Sequence, residues 1–381
     1  MSTPLVDAIE TFRVRASTRS IWLFVKVSLN TGHVGLGEAT LDGCVDGVEQ
    51  RLRGIAARSR GKEAREIRLA DDQDLATAAA ISAFNQAICD SLARVGNLSA
   101  ARFLGGEKRK EIELYANINR RTTSRTPDGF RESAQLAFDA GFRAFKIAPF
   151  DEVAAGAPFS STAFGTGLKR IAAVRALIGP ETRLMVDCHW RFDVPGSHSL
   201  VDACTDYDVH WIECPLPEST DMLADVARLR QRAARRGILL AGGEDIVGLS
   251  GLQPFLDHGC YDVIMPDVKY VGGPWEMLRV ADAIERAGIE FSPHNPSGPV
   301  SHAASLEICA AANRTGLLEC QYGETPLFSS LVKGGRDLTA NVALEAERIG
   351  FGVTFRPDVL ARHSATPAKA MEDAHEKDGH R

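Results

Sequence analysis

Three carboxylates, Asp187, Glu213 and Glu244, each stand at the end of a short apolar run, 26 and 31 residues apart. That interval is the length of one strand-plus-helix unit. Three neighbouring strand ends would therefore present three carboxylates to one point. Converging carboxylates repel unless a cation sits between them. Hard oxygen ligands select Mg²⁺, with Mn²⁺ as the alternative. One carboxylate in such a place is more simply a helix cap or an ion-pair partner, but three in consecutive units point to a metal. The next two runs end at Asp267 and His294. A carboxylate beside an imidazole fixes its tautomer and raises its basicity, which makes His294 a candidate general base. Lys146 ends an earlier run, within Phe145-Lys-Ile-Ala-Pro149, and points towards the same mouth. His189 lies two residues past Asp187, so the strand pleat puts it on the same side. Asn117 or Asn119 and Glu319 stand at the ends of the first and last runs. Cys188 and Cys214 directly follow carboxylates and should face away, into a helix layer.

Positioning these groups needs a regular scaffold. Apolar runs recur at Ile112–Ala116, Ala144–Ile147, Leu184–Val186, Val209–Ile212, Ile238–Ala241, Val263–Met265, Ile289–Phe291 and Leu317–Leu318. Helical patterns lie between most of them, such as Leu168, Ile171, Val174 and Leu177. Apolar strands alternating with helices are parallel strands buried on both faces. Eight such units close into a (β/α)₈ barrel, whose strand ends form the catalytic face. The first hundred residues read differently. Ile21–Leu29 and Val34–Ala39 flank the turn Asn30-Thr-Gly-His33, a hairpin, and Leu75–Val95 is helical. The expected organisation is an α+β capping domain over residues 1–110, a barrel over 111–340, and a segment from 341 to 381. That last segment returns to the cap and ends in a mobile polar tail from Ala361.

Composition narrows the function classes. The 44 basic and 50 acidic residues give a net charge of −6, against a nucleic-acid partner, which would need a basic face. No apolar run reaches the roughly 20 residues of a membrane span, and Met1–Val14 lacks the apolar core of a signal peptide. Eight cysteines without a CxxC spacing suggest reduced thiols and a cytoplasmic location. HExxH, P-loop and GxGxxG patterns are missing from the sequence.

The residues then resemble a known family. Val34-Gly-Leu-Gly-Glu-Ala39, Met185-Val-Asp-Cys-His189, Trp211-Ile-Glu-Cys-Pro-Leu-Pro217, Gly242-Gly-Glu244, Met265-Pro-Asp-Val-Lys-Tyr-Val-Gly-Gly273 and Pro293-His-Asn-Pro-Ser-Gly-Pro-Val300 are similar to motifs of the enolase superfamily, mandelate racemase subgroup. The resemblance covers about residues 1–355. It implies an α/β fold, a modified TIM barrel of (β/α)₇β form under an α+β N-terminal cap, which would remove one helix from the count of eight units. It implies Mg²⁺ on Asp187, Glu213 and Glu244, and abstraction of the proton α to a substrate carboxylate. The subgroup often carries Lys-x-Lys after the second strand, where this chain has Lys146-Ile-Ala148, against a two-base racemase. Asp187-x-His189-x-Arg191 resembles the acid-sugar dehydratases of galactonate type. In that pattern His189, with Lys146 as the alternative, protonates a leaving 3-hydroxyl, and Glu319 helps to stabilise the enediolate. The expected partner is a small carboxylate, a sugar acid, read by cap loops near Arg15–Ser20 and Asp42–Cys44. The family implies a homo-oligomer, a dimer or octamer. A racemase, epimerase or cycloisomerase on the same scaffold stays open, as does a non-catalytic binding protein. A barrel hydrolase would want a His-x-His ligand pair, which the chain lacks.

Overall fold

The computed structural model describes residues 3–155, 162–335, 338–364 and 369–370. Strands β1 (Val6–Arg15), β2 (Ile21–Leu29) and β3 (Val34–Glu38) form an antiparallel meander. The sequence reading did not anticipate β1. Its buried apolar residues, Val6, Ile9, Phe12 and Val14, do not alternate strictly, because the register shifts after Val6, and charged residues stand between them. Helices α1 (Val45–Ser59) and α2 (Leu75–Val95) cover one face of this sheet. Asp74 starts α2 by accepting the Thr77 N–H at 2.8 Å. Helix α2 presses hard on β3 because Gly35 and Gly37 face it. A Cβ at either would lie 1.9 or 2.0 Å from the Ala87 or Ala83 carbonyl oxygen. The short α3 (Ala100–Phe103) leads to the barrel.

The barrel alternates β4 (Glu111–Asn117), α4 (Pro127–Asp139), β5 (Ala144–Ile147), α5 (Thr162–Ile178), β6 (Arg183–Asp187) and α6 (Val194–Thr205). It continues with β7 (Trp211–Glu213), α7 (Leu223–Ala234), β8 (Leu239–Gly242), α8 (Gly248–Asp257), β9 (Val263–Ile264), α9 (Pro274–Arg286), β10 (Glu290–Phe291), α10 (Pro299–Ala311) and β11 (Leu318–Gln321). Proline begins α4, α6, α9 and α10, where its missing N–H costs no hydrogen bond. The parallel strands run β11-β4-β5-β6-β7-β8-β9-β10. Gly316 N–H to Phe291 O at 2.7 Å and Glu319 N–H to Pro293 O at 3.2 Å join the two ends. Tyr115, Met185, Trp211, Val263, Met265 and Leu317 fill the interior, and a larger apolar layer separates strands from helices.

Eight plain βα units are not what forms. After β11 comes only α11 (Leu327–Ser330), four residues long. The chain then runs through β12 (Val332–Lys333), β13 (Asn341–Ala343), β14 (Thr354–Phe355), α12 (Pro357–His363) and β15 (Lys369–Ala370). The architecture is thus seven βα units and a closing strand beneath an N-terminal antiparallel sheet. Strand β13 pairs antiparallel with the start of β4. Further on, Gly350 N–H bonds Leu98 O and Phe351 N–H bonds Asp90 of α2, each at 2.8 Å. Strand β15 pairs with β1. The polar tail expected to be mobile from Ala361 instead begins inside α12, which runs to His363 because Val359 and Leu360 are buried. Residues 365–368 and 371–381 lie outside the described residues. No helix among the described residues is long and apolar enough to cross a membrane.

Candidate active site

The C-terminal ends of the barrel strands open into a cavity of about 440 Å³. Its barrel wall includes Asn117, Asn119, Lys146, Asp187, His189, Glu244 and His294. Its cap wall is Arg19, Thr40, Leu41 and Asp42. Register explains the floor: Asp187 at the end of β6 sits directly beside Glu213 at the end of β7.

Lys146 is the cation of this floor. Its Nζ lies 2.6 Å from Glu213 Oε1, 2.9 Å from Glu319 Oε1 and 4.0 Å from Asp187 Oδ2. Burial opposes its charge, but Glu213 and Glu319 outweigh burial and hold its pKa well above the ordinary lysine value. Glu319 Oε1 also accepts from Asn117 Nδ2 at 2.7 Å, and its Oε2 accepts the Asn295 N–H at 2.9 Å. Burial pushes Glu319 up, and Lys146 with His294 brings it below the usual range. Glu213 stays raised by burial despite Lys146, and the Trp211 indole donates to its Oε2 at 3.1 Å. Position 148 is alanine and offers no second ammonium, and its N–H donates to the Asn119 side-chain oxygen.

Glu244 is less satisfied. Its buried Oε2 has no hydrogen-bond partner and lies 3.5 Å from His294 Nε2. Burial, then the charges of Asp187 and Glu213, raise its pKa well above the ordinary carboxylate value. The sequence gathers Asp187, Glu213 and Glu244 about a metal. Among the described residues no three such side chains stand as a finished ligand set. Lys146 is paired with one of the three, at 2.6 Å from Glu213 Oε1. The donors nevertheless fit a divalent ion. They are three neighbouring carboxylates, one with an orphaned buried oxygen, and Glu213 and Glu244 are raised first by burial and then by the negative charge around them.

Opposite the floor, His294 Nδ1 lies 2.9 Å from Asp267 Oδ2, and its Nε2 faces Glu244 and, at 3.8 Å, Glu319. A parallel bridge between Asp267 and His294 aligns their backbones. Asp267 is held below the usual carboxylate range, because Lys269 and His294 outweigh its burial. Lys269, quoted within a motif but given no role, is fully buried against it.

His189 reaches the cavity by a route the pleat argument did not contain. Strand β6 ends at Asp187, and His189 and Trp190 take left-handed φ values of 47° and 56°. Non-glycine residues held there cost on the order of 1–3 kcal/mol each, a cost typical of functional turns. The turn brings His189 Nε2 to 3.1 Å from Asp187 Oδ2 and Nδ1 to 3.9 Å from Asp151 Oδ1. The Asp187 charge raises the His189 pKa. Asp151, which the sequence did not single out, is paired with Arg125 at 2.5 Å. Arg191 turns away and donates to the Val153 carbonyl. Cys188 is buried in the apolar layer between strands and helices, and Cys214 is also buried.

The cap grips the loops that carry these groups. Glu38, at the end of β3, accepts the N–H groups of Gly298 and Ser301 at 2.7 and 2.9 Å, where α10 begins. Tyr270 Oη donates to Thr40 O at 3.1 Å. Arg120 donates to Ser20 and Asp42, each at 2.9 Å, and Glu324 accepts from Ser17 and Ser20.

Comparison with known proteins agrees with this architecture. A family model described as enolase C-terminal domain-like matches residues 129–359. The chain is 24% identical over 356 residues to the D-xylonate dehydratase of Haloferax volcanii, covering 90% of this chain and 85% of that protein. It is 26% identical over 362 residues to the D-gluconate dehydratase of Thermoproteus tenax, covering 91% and 70%. The crystal structure of a mandelate racemase/muconate lactonizing enzyme-like protein from Rubrobacter xylanophilus superposes with a TM-score of 0.86 at 24% identity, covering 97% and 100%. With more than half of its length inside the family model, and the barrel and cap laid out as described, the chain belongs to the enolase superfamily.

Proposed function

We propose that this protein is a Mg²⁺-dependent dehydratase of sugar acids, acting on a linear 2,3-dihydroxy carboxylate. The observation that carries the reading is the opposition of the Asp267–His294 pair to His189 across one carboxylate-floored cavity. Asp187, Glu213 and Glu244 would hold the ion, which supplies positive charge for the substrate carboxylate. His294 Nε2 takes the proton from C2, and Asp267 keeps the other ring nitrogen protonated. Lys146 and Glu319 order the floor beneath the forming enediolate. His189 gives a proton to the 3-hydroxyl. The C3–O bond breaks as the C2–C3 double bond forms, and water leaves. The enol then tautomerises to a 2-keto-3-deoxy acid. In this reading residues 1–110 cap the site, 111–340 carry the chemistry, and the segment from 341 ties the two together.

The relatives named D-xylonate and D-gluconate dehydratase support the substrate class. The test is purified protein with Mg²⁺ and a panel of acid sugars in D₂O, following 2-keto product and deuterium at C2. Wild type should form the 2-keto acid. His189→Asn should lose product formation yet keep C2 exchange. Exchange by wild type without loss of water would make the protein an isomerase instead, and full dehydration by the variant would move the acid role to Lys146.

A further inference from the structure

Lys269 is a charged side chain with no place in the proposed reaction. It is fully buried and does not border the cavity. Its backbone N–H donates to Asp267 Oδ1 at 2.8 Å, and its ammonium donates to Asp267 Oδ2. The second of those oxygens is also the one that His294 Nδ1 meets. The ammonium packs 4.1 Å from the centre of the Tyr270 ring, and Tyr270 is anchored to the cap through Thr40 O. One residue thus holds both oxygens of Asp267.

We propose that Lys269 is a positioning residue: by clamping both oxygens of Asp267 it fixes the tautomer and the aim of His294. A buried carboxylate held at only one oxygen can rotate about its last bond. It then meets either edge of the imidazole, and the proton on Nδ1 is no longer specified. With Oδ1 on the backbone and Oδ2 on the ammonium, only one rotation remains. In that rotation Oδ2 receives the Nδ1 proton, and Nε2 is left as the acceptor facing the cavity. Burial argues against a charge at position 269, but Asp267 more than reverses this and keeps the lysine protonated. Glu38 also acts on this ammonium across the cap boundary.

For its kinetic readout the inference rests on the proposed dehydratase reaction, so its first test needs no substrate. In protein labelled with ¹⁵N at the imidazole, the His294 signals are assigned by their loss in His294→Asn. Wild type and Lys269→Arg should show one tautomer, protonated on Nδ1. Lys269→Met should show both tautomers. A Lys269→Met spectrum identical to wild type would overturn the proposal. The second test is C2 exchange in D₂O. Lys269→Met should lower the exchange kcat by about tenfold or more, within the range of general-base effects, with KM unchanged. Lys269→Arg should restore most of it. Because Lys269 acts through Asp267, the pair Asp267→Asn with Lys269→Met should be no slower than Asp267→Asn alone. An additive loss would overturn the proposal. The pair leaves no unpaired buried charge, so with Lys269→Arg it decides the matter even where Lys269→Met fails to fold. Failure of wild type to exchange any acid sugar would count against the dehydratase reading, and the tautomer measurement would still judge Lys269.

Discussion

His302 sits on α10 with its ring fully inside the protein, eight residues past the candidate base. Its Nδ1 meets Asn295 Nδ2 at 3.0 Å, and burial pushes its pKa down to about 4. Unfolded, the same ring titrates near 6.5. Between these values the unfolded chain binds the extra proton, so stability falls as pH drops through 6.5 and towards 4. From pH 7 to pH 5 that single group should remove about 2 kcal/mol. Denaturant midpoints at the two pH values should show a drop smaller by that amount in His302→Gln. A second residue prediction concerns Glu213. Glu213→Gln keeps the Trp211 contact but takes a charge from the proposed ion site, so turnover should vanish and Mg²⁺ binding should weaken, while circular dichroism stays native. Full activity of the variant would remove Glu213 from the site. These polar positions differed in how readable they were. Lys146, Asp187, Glu213, Asp267 and Glu319 follow apolar runs, and the structure collects them at one end of the barrel. Lys269 and Asp151 gave no such signal, because their partners come from neighbouring loops or from their own turn. The left-handed turn at His189 was equally hidden, since it also takes in Trp190, and a bulky residue is not one that marks such a turn.

At the scale of elements, strong periodicity was legible and weak pattern was not. Helix α2 and strand β2 form over the residues that the sequence marks, Leu75–Val95 and Ile21–Leu29. Strand β1 was obscured by Glu10, Arg13 and Arg15, which lie between its apolar residues. Strands β9 and β10 are two residues each, too short for alternation, and only their apolar runs gave them away. The contact between β3 and α2 carries a sharp expectation. Gly37→Ala would set a methyl group 2.0 Å from the Ala83 carbonyl oxygen, with the helix backbone as the obstacle. Overpacking of this kind costs about 1–3 kcal/mol. The denaturation midpoint should fall accordingly. An unchanged midpoint would mean that α2 does not lie on β3 as described. Because β3 ends at Glu38, the variant should also loosen the cap's hold on the start of α10.

For the molecule as a whole, the clasp between cap and barrel joins Arg120 to Ser20 and Asp42, and Glu324 to Ser17 and Ser20. Half-exposed ion pairs of this type are worth less than about 1 kcal/mol to the fold. Arg120 also lies 3.5 Å from Glu324, whose side chain is only 4% exposed, so Arg120→Met should lower stability by leaving that buried carboxylate without its cation. It should also raise KM for the proposed sugar-acid substrate several-fold with little change in kcat, because the cap wall of the cavity loses its anchor. A fall in kcat at constant KM would place Arg120 in the chemistry instead. The closing strand has a different consequence, which concerns birth rather than activity. Strand β4 pairs with β5 on one side, but its other neighbours, β11 and β13, lie some two hundred residues further along the chain. On a ribosome adding about 5–20 residues each second, β4 waits roughly 10–40 s for them. For that interval the nascent barrel is an open sheet with a bare parallel edge, the kind of surface that pairs with other chains. A chain cut before Leu318 would keep that edge bare indefinitely, because β11 and β13 would never arrive to pair with β4.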